Sequence, residues 1–130
     1  MRFLRGAALV VLLCCSCGGA EESLAGLRSD PAFTTRPAGV LAISHTEAPA
    51  RVVEGRHRPA LVEETDSVGS SSISLVVQFY KGSLSALGWT PFSLPAGLDE
   101  RASYGWKKGN RVFALSIPDQ PPGTYRISEG

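Results

Sequence analysis

Three cysteines, Cys14, Cys15 and Cys17, fall within four positions, and no cysteine follows them in a chain of 130 residues. A disulfide framework spreads its cysteines through the fold, and a zinc site needs further Cys or His at ligand spacing. Neither pattern occurs after Cys17, so everything beyond it must hold together by packing alone. The length suits one domain. Thirteen Lys plus Arg stand against twelve Asp plus Glu. Without Arg2 and Arg5 the balance is eleven against twelve. That chain lacks the positive field that draws proteins onto nucleic acid, so no nucleic-acid partner is expected.

The residues before the cysteines read as an export signal. Arg2 and Arg5 give a charged start, and Ala7 to Leu13 an apolar run. That run is too short to span a bilayer as a helix, which takes about 20 residues. A charged start, a short apolar run and small residues after it define a cleavable signal. The stretch Leu12-Leu13-Cys14-Cys15-Ser16-Cys17-Gly18-Gly19 resembles the lipobox of bacterial lipoproteins, in which the mature chain begins at a diacylated cysteine. The resemblance implies lipidation of Cys17, which has small Ser16 before it and Gly18 after it. Cys15 is the alternative, with Leu12 three positions upstream. Cys14 in place of Leu three positions before Cys17 departs from the family pattern. Gly18 rather than Asp implies sorting to the outer membrane, with plain secretion the other possibility. The division expected is a signal over 1–16, a flexible tether over 17–39 and a small α+β domain over 40–130.

Within that domain the strongest periodic signal predicts a helix from Ser72 to Leu87. At 100° per residue Ile73, Val76, Val77, Tyr80, Leu84 and Leu87 share one face. Ser70 to Ser72 offer N-caps, and Gly88 is placed to end the helix with Trp89 folded back on Leu84. Period-two runs follow at Ala102–Lys107 and Arg111–Ile117, with a turn at Lys108-Gly109-Asn110 and a last strand at Thr124–Ile127. Upstream, Val40–Ile43 reads as a strand. Arg51–Val53 and Pro59–Glu63 read as a hairpin around Glu54-Gly55-Arg56. The fold expected is α+β: one main helix packed on a mostly antiparallel sheet, a two-layer sandwich. Phe79-Tyr80, Leu84, Gly88-Trp89 and the hairpin Trp106 to Arg111 resemble domains of small bacterial envelope lipoproteins. The resemblance covers Ser72 to Ile127 and brings a fold but no activity and no functional residues.

Chemistry-bearing residues are sparse, and no cofactor-binding or metal-binding pattern emerges. His45 and His57 are the only histidines. Either could serve a hydrolase as general base, but no G-x-S-x-G elbow accompanies them. Glu63, Glu64 and Asp66 form an acidic run without a calcium-loop pattern. Lys107, Lys108 and Arg111 crowd one hairpin and could meet anionic headgroups. On the helix, Leu75, Phe79, Gly82 and Ala86 lie nearly opposite the main apolar face. That stripe is either covered by the N-terminal part of this chain or docks an envelope partner or a second copy. The leading expectation is a membrane-anchored, non-enzymatic binding or scaffolding protein. The alternatives are a binder of a small apolar ligand or lipid near Trp89, Tyr104 and Trp106, and a secreted hydrolase.

Overall fold

The computed structural model describes residues 23–130. The signal at 1–16 and the candidate acylation sites Cys15 and Cys17 lie outside the described residues. Three helices and eight strands follow in chain order. They are α1 (Leu24–Ser29), α2 (Pro31–Thr34), β1 (Leu41–Ala48), β2 (Arg51–Val53), β3 (Arg56–Arg58), β4 (Leu61–Ser67), α3 (Ile73–Ala86), β5 (Thr90–Phe92), β6 (Glu100–Lys108), β7 (Arg111–Pro118) and β8 (Thr124–Glu129). Six strands make one antiparallel sheet in the order β1-β4-β8-β7-β6-β5, while β2 and β3 pair only with each other. The architecture is mixed α/β and dominated by the sheet. An expectation of one main helix understates the sheet and leaves out α1 and α2.

The helix α3 forms where its sequence periodicity places it. The Ser72 hydroxyl caps it by accepting from the Leu75 amide at 3.2 Å. Val76, Tyr80 and Leu84 are buried, and Ile73, Val77 and Leu87 pack around the same core. Gly88, at φ +91°, turns the chain, and the Trp89 amide donates to the Leu84 carbonyl at 2.9 Å. The Gly88 amide donates to Ser85 at 3.1 Å, which completes a Schellman ending. Trp89 is thereby set against Phe113, with ring centroids 6.0 Å apart.

Register makes the two faces of the sheet different. Trp106, Phe113 and Glu129 lie in one row, as do Tyr104, Leu115, Ile127, Glu64 and His45. This face also carries Val62, Asp66, Ile117 and Tyr125, and its apolar members join the α3 residues in one cluster. The opposite face carries Ser103, Gly105, Ser116, Ser128, Thr65 and Ser44. There Arg126 bridges Glu63 at 3.0 Å and Glu100 at 2.8 Å.

Two expectations need correction. The tether assigned to 17–39 is packed from α1 onward: Leu27, Ala32, Phe33 and Pro37 are buried. Pro31 opens α2, and the Asp30 carboxylate caps it by accepting from the Ala32 amide at 3.0 Å. The hairpin after β1 closes on itself sooner than expected. Arg51–Val53 pairs with Arg56–Arg58 across Glu54-Gly55, both at positive φ, and not with the Pro59–Glu63 run. Leu61–Ser67 instead joins the main sheet between β1 and β8.

Candidate functional site

Among the described residues, three places gather chemistry. The first is an acidic seam where α1 and α2 meet β1 and β4. Alternation along β4 sends Glu64 and Asp66 to the helix side and Glu63 to the other, which splits the acidic run in two. Arg36, just after α2, grips Glu64 with Nη2 at 2.8 Å and Nε at 3.2 Å. Its Nε lies 3.5 Å from Asp66 Oδ2, to which the Tyr125 hydroxyl donates at 2.9 Å. Next along the seam, His45 Nε2 meets Glu47 at 2.7 Å and Nδ1 meets Glu64 at 3.4 Å. Arg28 of α1 holds Glu47 from the far side at 2.8 Å. Asp30 and Glu129 share Arg111 at the end of the layer.

Electrostatics follows from these contacts. Burial raises the Asp66 carboxyl above the ordinary carboxylate range, and the neighbouring Glu64 adds to the shift. Burial works against ionised Glu64 too and is the largest single influence, but hydrogen bonds with Arg36, Asp66 and His45 and the Arg36 charge together outweigh it, and the group is lowered. Hydrogen bonds from Arg28 and then His45 hold Glu47 down at about 2. The Glu47 carboxylate in turn raises His45. With a carboxylate on each ring nitrogen, His45 is a charge partner and has no free nitrogen to take a proton from a serine. The seam therefore works as a clamp joining the N-terminal helices to the sheet. His57 lies on the exposed β3, opposite Val52. No group of three or more His, Cys, Asp or Glu is placed to hold a metal ion among the described residues.

The second place is a cleft of about 530 Å³ beside the short edge strand β5, lined by Lys81, Phe92, Leu94, Tyr104 and Trp106 among others. The β5 ladder ends at Phe92–Gly105, so β6 runs on past its neighbour toward Glu100. Phe92 lies on Gly105, where an added Cβ would come 2.8 Å from the ring. Lys81 places its ammonium 5.4 Å from the Tyr104 ring centroid. Tyr104 thus stands where a ligand could reach it, while Trp106 borders the cleft but is only 3% exposed. Trp89, grouped with them from sequence, is only 4% exposed and is not part of the lining.

The third place is the β2–β3 arm. Arg51 and Arg58 stand directly across from each other, and Arg56 shares their face. Sequence reading alone suggests a hairpin here with its second strand at Pro59–Glu63 and passes over its charge. The signal was available: Arg51 precedes Glu54-Gly55, and Arg56 and Arg58 alternate with His57 after it. It looked instead to Lys107, Lys108 and Arg111, and these are largely engaged within the fold. Lys108 donates to the Leu87 carbonyl at 2.8 Å at the end of α3, and Arg111 binds Asp30 and Glu129. Lys107 stands 4.9 Å over the Phe92 ring.

The stripe on α3 is only partly covered. Phe79 packs against the core, Leu75 is 56% exposed, and Gly82 and Ala86 face outward. A Cβ added at Gly82 would meet nothing within 4 Å. Among the described residues, no helix is long and apolar enough to cross a membrane. No family model, curated protein or solved structure matches this chain.

Proposed function

We propose that this is a lipid-anchored protein of the bacterial cell envelope whose folded body binds or scaffolds another component rather than catalysing a reaction. The observation that carries the reading is the short distance between its two parts. Cys17, the candidate acylation site, lies six residues before Ser23, which caps α1 at the start of the packed body. Six residues reach at most about 20 Å even when fully extended. A diacylated Cys17 would therefore hold the body against the headgroups, with no long tether between them. Two acyl chains anchor stably because each buried methylene contributes about 0.8 kcal/mol. We read the architecture as two layers, helices over one sheet face and the Ser- and Thr-rich face left open toward a partner. Metabolic fatty-acid labelling tests the anchor. Label is expected in the wild type and in Cys15→Ala, and is lost in Cys17→Ala. A wild-type chain with no acyl mass on any cysteine would end this reading.

A second reading, an apolar small molecule or lipid acyl group bound in the cleft, is favoured by the lining of Phe92, Leu94, Tyr104 and Trp106. Its volume lies in the range of small-ligand sites. Native mass spectrometry of the purified chain is expected to show a bound apolar species that Tyr104→Glu releases. An identical ligand-free mass for both chains would exclude it.

A further inference from the structure

We propose that the β2–β3 arm is a binding site for the phosphate headgroups of anionic lipids. Three observations lead there. The antiparallel register puts Arg51, Arg56 and Arg58 on one face of a two-stranded arm, with Arg51 directly opposite Arg58. Like charges in that position repel and destabilise a hairpin, so the pair gains from an anion between the two guanidinium groups. None of the three forms an ion pair with a described carboxylate, whereas Arg28, Arg36, Arg111 and Arg126 all do.

The arm also has a floor. Arg51, Val53 and Arg58 look into a recess of about 420 Å³ whose other walls are Ala48, Pro59, Ala60, Leu61 and Gly130. Its lining side chains include two arginines. Val53 and Leu61 beneath the guanidinium groups suit the glycerol and upper acyl part of a lipid. Val52 is 67% exposed on the other face of the arm, away from the recess. The chemistry recognised is a phosphate carrying an apolar tail, and the source assigned is the membrane surface. This rests on the anchored reading above, which would bring the arm and the headgroups within reach of each other.

Limited trypsin digestion of the full processed chain on vesicles tests the proposal. Cleavage after Arg56 is the readout, on phosphatidylcholine vesicles and on vesicles with added phosphatidylglycerol. On the anionic vesicles the cut is expected to slow at least tenfold, and high salt is expected to restore it. Arg51→Gln/Arg58→Gln removes two surface cations and is expected to reduce the protection by roughly thirtyfold or abolish it. Equal cleavage on both vesicles, or full protection in the double variant, would overturn the assignment. So would protection by inorganic phosphate on neutral vesicles, which would make the site one for a soluble anion. Flotation with the neutral vesicles reports the anchor separately. A chain that fails to float there but is still protected on anionic vesicles refutes the anchor and leaves the arm standing.

Discussion

One face of one sheet is held down in two different ways. Over β6, β7 and β8 the contact is aromatic. Phe113 lies at its centre, with ring centroids 5.5 Å from Tyr80, 6.0 Å from Trp89 and 6.1 Å from Trp106. Over β1 and β4 the same face carries His45, Glu47, Glu64 and Asp66, and Arg28 of α1 and Arg36, just after α2, answer them. Apolar packing is non-directional and indifferent to pH, while ion pairs need geometry and a protonation state. The aromatic half thus sets whether the chain folds. In the charged half, ion pairs add to the burial of Leu27, Ala32 and Phe33 in seating the N-terminal helices.

The comparison can be broken by measurement. Phe113→Ala should cost the most, about 4 kcal/mol of unfolding free energy by denaturant titration, because it empties the centre of the ring cluster. Arg36→Met should cost less, about 2 kcal/mol, by leaving Glu64 and Asp66 unopposed in a mostly buried seam. Adding Glu64→Gln should recover more than half of that loss, whereas no second change should rescue Phe113→Ala so simply. Equal costs for the two single variants would erase the distinction between the halves.

The pH dependence should come from the seam. Asp66 is raised in the folded chain, so its contribution is full below the ordinary carboxylate value and drains away as pH rises through the raised one. His45 is also raised, and its contribution is full below about 6.5 and lost above its folded value. Glu47 works the other way: its contribution is present above 4.5 and lost as pH falls toward about 2. Denaturation midpoints should therefore decline from mildly acidic to alkaline pH, and Asp66→Asn should flatten the lower part of that decline. A curve that Asp66→Asn leaves unchanged would remove Asp66 from the account. The smallest effect expected is a gain. Gly82→Ala should stabilise the chain by about 0.5–1 kcal/mol, since the helix gains propensity and the new methyl meets nothing.

The same contrast governs what could be read in the sequence. The aromatic half announces itself because α3, β6 and β7 carry long periodic patterns, and Gly88 and Gly109 mark their ends. The charged half does not. The helices α1 and α2 have six and four residues, too short for a period to show. Their signals were local: Ser23 as a cap, and Asp30-Pro31 as a cap followed by a first helical residue. β1 is an edge strand with almost every residue exposed, so no burial alternation marks it. Arg36 and Glu64 meet across 28 positions, and nothing near either residue signals the other. A hairpin was visible at Arg51–Val53, but its second strand was expected at Pro59–Glu63; the pairing with Arg56–Arg58 that stacks the arginines depends on a turn of two residues rather than three.

The place of β8 has a consequence for how the molecule comes into being. The last strand in the sequence lies in the middle of the sheet, between β4 and β7, and brings Tyr125 and Ile127 to the core. Until Thr124–Glu129 arrives, the earlier strands of the main sheet are two ribbons, β1-β4 and β7-β6-β5, that no strand pairing joins. A chain delivered through a pore amino end first would leave these two ribbons unpaired with each other until Thr124–Glu129 had emerged.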